Sequence, residues 1–300
     1  MNLLITGAWQ ETEKYIEAIE KMGHQVQFLQ YEKYELPCEY EWVEGIIGNG
    51  IFLSHPIEQF TSLRYIQLTS AGFDRVPMDY VKAHGIEIHN ARGVYSIPMA
   101  EFALCGVLQL YKQSGYFHEN QRVHKWEKHR GLTELYGKQV CIVGCGSVGT
   151  ECAKRFKAFG CSVVGVDIKP YQNEIYDTML PLDNLDDVLT SADVIVLTLP
   201  LTDETKHLMN KSRFSCLKEG AVIVNIARGA IIDTDALLTA LNTHLGGAVL
   251  DVFEEEPLDE SSPLWNMDNV IITPHNSFVS DGNHARMLDV IMNNLERTAT

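Results

Sequence analysis

Residues 139–167, QVCIVGCGSVGTECAKRFKAFGCSVVGVD, constrain the fold more than any other stretch of this chain. A short apolar run (Val140 to Val143) leads into Gly144, Gly146 and Gly149. An amphipathic helix pattern follows, with Cys152, Phe156 and Phe159 on its apolar side, and a second apolar run (Ser162 to Val166) ends on Asp167. Strand, glycine turn, helix, strand and acid, in that order, set a dinucleotide pyrophosphate against a helix N-terminus, where unpaired N–H groups and the helix dipole favour an anion. The glycines have separate tasks: a tight turn, close backbone approach to the phosphates, and close helix–strand packing. Asp167, 18 residues beyond Gly149, is placed to accept hydrogen bonds from the adenosine ribose, and its charge repels a 2′-phosphate. The pattern therefore favours NAD over NADP. The loop lies 143 residues into the chain, far enough for another domain to precede it.

At 300 residues the chain holds two domains on the usual scale of about 100–200 residues each. No run of about 18 apolar residues is present to span a bilayer. The N-terminus, MNLLITGAWQ, lacks a basic stretch before its apolar run and reads as a first strand rather than a signal peptide. Twenty-four basic residues against 40 acidic ones give a net charge of −16, which opposes nucleic acid and anionic membrane surfaces. An anionic substrate then needs its own local cation. Seven cysteines without a scaffold spacing fit a reducing cytoplasm. Cys145, inside the glycine turn, is a candidate oxidation-sensitive thiol.

The first hundred residues alternate short apolar runs (3–6, 26–29, 45–48, 65–69, 86–90) with helical patterns at 11–22, 55–61 and 78–84, as expected for a parallel sheet with helices on its faces. Ser70-Ala71-Gly72-Phe73-Asp74 follows a strand end, the usual ligand position in such sheets. Residues 99–117 read as one long helix, apolar over much of its circumference, which suits an interdomain helix, a dimer-interface helix, or both. After Asp167 the alternation continues, with strands read at 194–200, 221–229, 247–253 and 269–275 and a last helix from about 283. Three of these strands deliver polar groups at their C-terminal ends: Arg228, then Asp251 with Glu254-Glu255-Glu256, then His275.

A buried Arg, an acid and a His gathered beside a nicotinamide point to one reaction. Arg presents a planar fork to carboxylate and carbonyl oxygens, and His passes protons near neutral pH. A carboxylate bonded to that His favours the imidazolium. Together they describe reduction of a 2-oxo acid, with hydride to C2, a proton from His275 to the carbonyl oxygen, and the substrate held by Arg228. Spacing alone leaves Glu254, Glu255, Glu256 and Asp251 as rival partners for the histidine.

From about residue 63 to 279 the chain resembles the D-isomer-specific 2-hydroxyacid dehydrogenases. The matching motifs are SAGFD (70–74), NARG followed by AEFAL (90–104), YGKQVCIVGCGSVG (136–149), LPLTDET (199–205), NIARGAIID (225–233), LDVFEEEP (250–257) and TPHNS (273–277). The resemblance implies an α/β chain of two doubly wound parallel-sheet domains, with a Rossmann-type cofactor domain (98–282) inserted in a flavodoxin-like substrate domain (1–97 and 283–300) and the active site between them. It implies that Arg228 binds substrate, His275 is the acid/base, and Glu256, which precedes Pro257, is its catalytic partner. Asp251 then contacts the nicotinamide carboxamide, and the amides of Ala71 and Gly72 cradle the substrate carboxylate. Ser147 and Val148 meet the pyrophosphate beside Gly144, Gly146 and Gly149. Thr198, Leu199, Pro200, Thr205, Ile226 and Ala227 line the cofactor crevice together with Arg228 and His275. A cytoplasmic homodimer through the helix near 99–117 is the implied assembly, with no nucleic-acid or membrane partner. Two departures stand out. The chain ends at Thr300, earlier than relatives usually do, and Asn276-Ser277 replaces small residues, which implies a more polar wall beside the nicotinamide. The alternative to an enzyme is an NAD(H)-sensing, corepressor-like relative without significant turnover.

Overall fold

The apolar runs near the N-terminus become β1 (Asn2–Thr6), β2 (Gln25–Leu29), β3 (Gly45–Gly48), β4 (Tyr65–Leu68) and β5 (Glu87–His89), with α1 (Thr12–Lys21) and α2 (Met78–Ala83) among them. A computed structural model describes residues 1–8, 12–171 and 173–298. Glu11, where the first helix was expected to start, lies outside the described residues, as do Ala299 and Thr300 at the end of the span 283–300. The chain divides into two units, Met1–Tyr95 with Ser280–Thr300, and Ser96–Val279.

In the first unit the five strands run parallel in the order β2-β1-β3-β4-β5, a flavodoxin-like order whose switch point lies between β1 and β3. Helices and loops cover both faces, so the central strands are apolar throughout rather than alternating. Leu4, Ile46 and Ile66 point to one side with Ile57 and Phe60, while Leu3, Ile5, Ile47 and Tyr65 point to the other. The last helix (Asn283–Thr298) closes that second side with Met287, Ile291 and Leu295, at helical spacing. Its Asn294 Nδ2 donates to Oε1 of the fully buried Gln67 (2.7 Å), and its Arg286 Nε donates to the Val94 carbonyl (2.7 Å). The helix expected at 55–61 is not formed. Short 3₁₀ turns at Ile51–Leu53 and Ile57–Gln59 flank Pro56, too few residues to repay helix nucleation, and Ile57 and Phe60 bury their side chains from these turns.

The second unit contains α3 (Ser96–Tyr111), α4 (Ser114–Arg122), β6 (Gln139–Val143), α5 (Ser147–Ala158), β7 (Ser162–Asp167), β8 (Thr178–Pro181), α6 (Leu185–Leu189), β9 (Val194–Leu197), α7 (Lys211–Cys216), β10 (Val222–Asn225), α8 (Thr234–Leu241), β11 (Gly247–Leu250) and β12 (Val270–Ile272). Its seven parallel strands run β12-β11-β10-β9-β6-β7-β8, so strand order reverses between β6 and β9, as in a Rossmann sheet. The single helix expected over 99–117 is two. Residues 112–115 are all exposed and give the helix nothing to bury, Ser114 and Gly115 are poor helix formers, and Gln113 takes a left-handed conformation (φ 53°). Ala100, Ala103 and Val107 seat α3 on the sheet, and Gly106 permits the contact: a Cβ there would lie 2.5 Å from Cγ1 of Val249. Phe159 corrects the amphipathic reading of α5, because it is 46% exposed beyond the helix end while Cys152 and Phe156 are fully buried.

Candidate functional site

Gly144 turns out of β6 with φ 94°, a conformation that L side chains rarely adopt. A Cβ there would meet the Leu199 amide nitrogen at 2.6 Å, and a Cβ on Gly149 would meet the Gly144 carbonyl oxygen at 2.1 Å. These two glycines let β6, α5 and the loop after β9 close onto one another. Gly146 differs: its side faces open space, and it stands as the N-cap of α5 without any side-chain capping bond. The first-turn amides, from Ser147 onward, are therefore donors without a protein cap, beside a surface with room for a phosphate. Thr198 Oγ1 donates to the Gly144 carbonyl (2.5 Å), which fixes the turn from the β9 side. Asp167 ends β7 and touches the same turn, its Oδ2 accepting from Cys145 N (2.7 Å) and its Oδ1 from Lys169 N (3.0 Å). A carboxylate has further lone pairs for a ribose, so the residues fit a dinucleotide. The Cys145 thiol is not the oxidation-sensitive group envisaged. It is 1% exposed, and burial pushes it up to about 12, where thiolate is scarce. In the loop after β9, Pro200 is exposed, but Thr205 is fully buried: its Oγ1 donates to the Pro200 carbonyl (2.8 Å) and accepts from Thr202 N (2.7 Å). It shapes the loop from beneath. Leu199, Ile226 and Ala227 are likewise buried.

β10, β11 and β12 end earlier than the runs read from the sequence, so Arg228, Glu256 and His275 ride on loops. Three residues past β10, Arg228 begins a 3₁₀ turn (Gly229–Ile231). Asn225, 1% exposed, holds that turn, its Oδ1 accepting from Ala227 N (3.1 Å) and its Nδ2 donating to the Arg228 carbonyl (3.0 Å). The sequence reading overlooked Asn225, although a polar residue closing the apolar run VIVN is a visible signal. The Arg228 side chain is exposed rather than buried, with Nη1 donating to the Ala227 carbonyl (2.7 Å). Gly229 is required, because a Cβ there would lie 1.8 Å from the Phe253 carbonyl carbon. The arginine turn thus rests directly on the 253–256 segment.

Asp251, directly after β11, is fully buried. Its Oδ1 accepts from Thr273 Oγ1 (2.7 Å) and Asn276 N (2.7 Å), its Oδ2 from Ser277 N (3.0 Å), and its carbonyl from His275 N (2.8 Å). Successive amides close around one carboxylate because His275 sits in the left-handed region (φ 50°), a nest for an anion supplied by the protein itself. Asp251 thus braces the loop of His275 from beneath. Ser277 is likewise buried (3%), so of the two polar residues expected on the wall only Asn276 is exposed.

Glu256 and His275 come together: His275 Nδ1 lies 2.9 Å from Glu256 Oε2, while Glu256 Oε1 accepts from Phe253 N (3.1 Å). A carboxylate at Nδ1 holds the proton on that nitrogen and leaves Nε2 for other chemistry. The rivals are used elsewhere: Asp251 beneath the loop, and Glu254 on His207 Nε2 (2.6 Å) and Thr234 N (3.1 Å).

In the first unit, the loop after β4 is pinned through its carbonyls. Ser70 O accepts from Ala91 N (2.9 Å), Ala71 O from Asn90 Nδ2 (2.6 Å) and Gly72 O from Ser70 Oγ (3.0 Å). The amides of Ala71 and Gly72 meet no acceptor among the described residues, which suits them to an external anion.

Residues 104–277 match the family model described as the D-isomer specific 2-hydroxyacid dehydrogenase, NAD binding domain. The chain is 33% identical over 243 residues to a glyoxylate reductase of Thermofilum pendens, an alignment that covers 78% of this chain and 71% of that protein. A D-isomer specific 2-hydroxyacid dehydrogenase family protein of Aeromonas salmonicida superposes with a TM-score of 0.85 at 32% identity, over 99% of this chain and 96% of that one. The D-lactate dehydrogenase of Aquifex aeolicus, solved with NAD and lactic acid, superposes with a TM-score of 0.80 at 26% identity, over 99% and 95%. The chain belongs to the D-isomer specific 2-hydroxyacid dehydrogenases, NAD-dependent oxidoreductases that interconvert 2-oxo acids and D-2-hydroxy acids, and residues 104–277 are its NAD-binding domain.

Proposed function

We propose that in this chain His275 is the acid/base, Glu256 its carboxylate partner and Arg228 the cation that binds the 2-oxo acid. The observation that carries the reading is the 2.9 Å Glu256–His275 pair, on loops braced by Asp251 and Gly229. Bound NADH supplies a hydride to C2 of the substrate. As charge develops on the carbonyl oxygen, His275 Nε2 releases a proton to it, and Glu256 offsets the imidazolium before that transfer. Arg228 draws the carboxylate and carbonyl oxygens to a fixed position with its two-pronged donor set. In the first unit the open amides of Ala71 and Gly72 suit an anion, a local attraction on a chain of net charge −16. In the oxidative direction neutral His275 takes the proton back. A purely NAD(H)-sensing role leaves the Glu256–His275 pair without a task. Consumption of NADH with a panel of 2-oxo acids graded from glyoxylate to phenylpyruvate tests the reading and measures the substrate pocket; NADH binding without turnover across the panel turns it toward a sensor.

The geometry of Asp167 supports NAD as the preferred cofactor. Asp167→Ser removes ribose acceptors and a charge that repels a 2′-phosphate. We expect the kcat/KM ratio of NADH over NADPH to fall by about 10-fold or more, on the scale of 1.5–3 kcal/mol for a hydrogen bond to a charged group. An unchanged ratio in parallel NADH and NADPH titrations removes Asp167 from the ribose site.

The outer side of α3 supports a homodimer. Leu104, Cys105, Leu108 and Gln109 line an open hollow of about 370 Å³ there, and the segment after α4 leaves Trp126 99% exposed. Apolar surface of this kind is ordinarily covered by a partner. Among the described residues no helix is long and apolar enough to cross a membrane. All seven cysteines are free, which supports a reducing cytoplasm.

A further inference from the structure

The run Glu254-Glu255-Glu256 has the composition of a solvated acidic loop, yet its three carboxylates are treated differently. Glu256 meets His275, and Glu255 has no side-chain partner among the described residues. Glu254 is bound from two other loops at once. Its Oε1 lies 2.6 Å from His207 Nε2, and its Oε2 accepts from both the amide (3.1 Å) and the hydroxyl of Thr234. Burial alone pushes the Glu254 carboxyl up, but the bonds from Thr234 and His207 outweigh it and hold the group below the usual glutamate range.

Each partner ties Glu254 to a different part of the site. Thr234 opens α8, which follows the Arg228 turn by a few residues. His207 closes the loop after β9 that Thr205 shapes. It is left-handed (φ 49°), and its amide donates to the Ala230 carbonyl (2.8 Å) inside the turn that Arg228 begins. Gly229, in the same turn, lies against the backbone of Phe253 and Glu254. Three loops therefore meet at one carboxylate, two residues from the glutamate that partners the histidine.

We propose that Glu254 is a positioning residue for the reaction: through His207 and Thr234 it fixes the segment bearing Glu256 against the turn bearing Arg228 and the loop after β9. The proposal rests on the roles assigned above to Arg228, Glu256 and His275. Glu254 touches no reacting atom, so its loss acts on alignment, where a displacement of about 1 Å costs up to roughly 100-fold in rate.

The test compares steady-state kinetics of the full chain and its Glu254→Ala, Glu254→Gln, Glu255→Gln and His207→Ala variants, using the best 2-oxo acid from the panel and NADH at saturation. Glu254→Ala is expected to lower kcat about tenfold or more, with the NADH Kd from fluorescence within about twofold of the parent. Glu254→Gln keeps an oxygen for Thr234 and recovers part of the loss. Glu255→Gln removes the same charge from the same loop and leaves kcat unchanged. His207→Ala combined with Glu254→Ala is expected to cost less than the two separate losses multiplied, because both remove one contact. The proposal is overturned if Glu254→Ala keeps kcat within about twofold of the parent, if Glu255→Gln loses as much as Glu254→Ala, or if the loss disappears once activity is normalised to the folded fraction by near-ultraviolet circular dichroism. His275→Ala runs alongside. Turnover surviving in it overturns the acid/base assignment and this proposal together, whereas an inactive His275→Ala beside an unaffected Glu254→Ala overturns this proposal alone.

Discussion

Replacing His275 with Asn is expected to lower kcat for 2-oxo acid reduction by about 10²–10⁴-fold, the range of a positioned general acid, while the NADH Kd moves by less than about twofold. Asn is the informative replacement because His275 is left-handed (φ 50°). Asn tolerates that region, whereas other non-glycine residues pay about 1–2 kcal/mol there. The backbone bonds from residues 275–277 to Asp251 use main-chain amides and so survive the change. Asn lacks only the proton that an imidazolium delivers and the ring that faces Glu256. The loss therefore falls on kcat in both reaction directions and is not restored by raising either substrate. Steady-state kinetics with NADH titrated by fluorescence decides the matter. If NADH affinity falls in step with turnover, His275 belongs to the cofactor's hold rather than to proton transfer.

What the sequence discloses depends on the range of the interactions that set each feature. The cofactor turn is largely local: Gly144 is needed for its torsion (φ 94°) and Gly149 for its approach to the Gly144 carbonyl, Gly146 leaves open space at the helix N-terminus, and Asp167 follows at the end of the next strand. Composition and spacing carry that information directly. The partner of His275 is not local. Glu254, Glu255, Glu256 and Asp251 lie within six residues of one another, and which one meets the imidazole depends on how the loops after β10, β11 and β12 stack. Resemblance to a family selected Glu256, and the fold adds what the other two partnered acids do, namely Asp251 under the histidine loop and Glu254 across to His207 and Thr234. Secondary structure failed where tertiary demands outweighed pattern. Residues 55–61 form turns because Ile57 and Phe60 reach the core without a helix, and the run 99–117 breaks at Gln113 where nothing holds the chain on the sheet. The strand run 221–229 looked long because Ile226 and Ala227 continue the apolar pattern past the last ladder residue, Asn225, and 269–275 because Thr273-Pro274-His275 follows the paired residues directly. In a parallel sheet those overhanging residues are where functional side chains leave the framework.

Arg228→Lys is expected to lower kcat/KM for the 2-oxo acid by about 100-fold, equivalent to roughly 3 kcal/mol, the upper range for a hydrogen bond to a charged group. The substitution preserves charge, so an effect of this size separates geometry from electrostatics. Arg228 leaves a turn fixed by Asn225 and Gly229, and its Nη1 is already engaged by the Ala227 carbonyl (2.7 Å). That bond helps to orient the guanidinium plane. Lys offers a single ammonium on a flexible stem, which can reach one oxygen but cannot both anchor itself and present a parallel pair of donors. The division of the loss is informative. A contact equally strong in the ground and transition states appears in KM alone, whereas one that tightens as charge develops on the carbonyl oxygen lowers kcat as well. Because Arg228 is assigned to both the carboxylate and the carbonyl, both constants are expected to change, and Arg228→Ala is expected to exceed the Lys variant by the lost charge. Added guanidinium that partly restores Arg228→Ala, but not Arg228→Lys, is the corresponding rescue. A Lys variant within about threefold of the parent shows that charge alone suffices, and the substrate's orientation must then be held elsewhere.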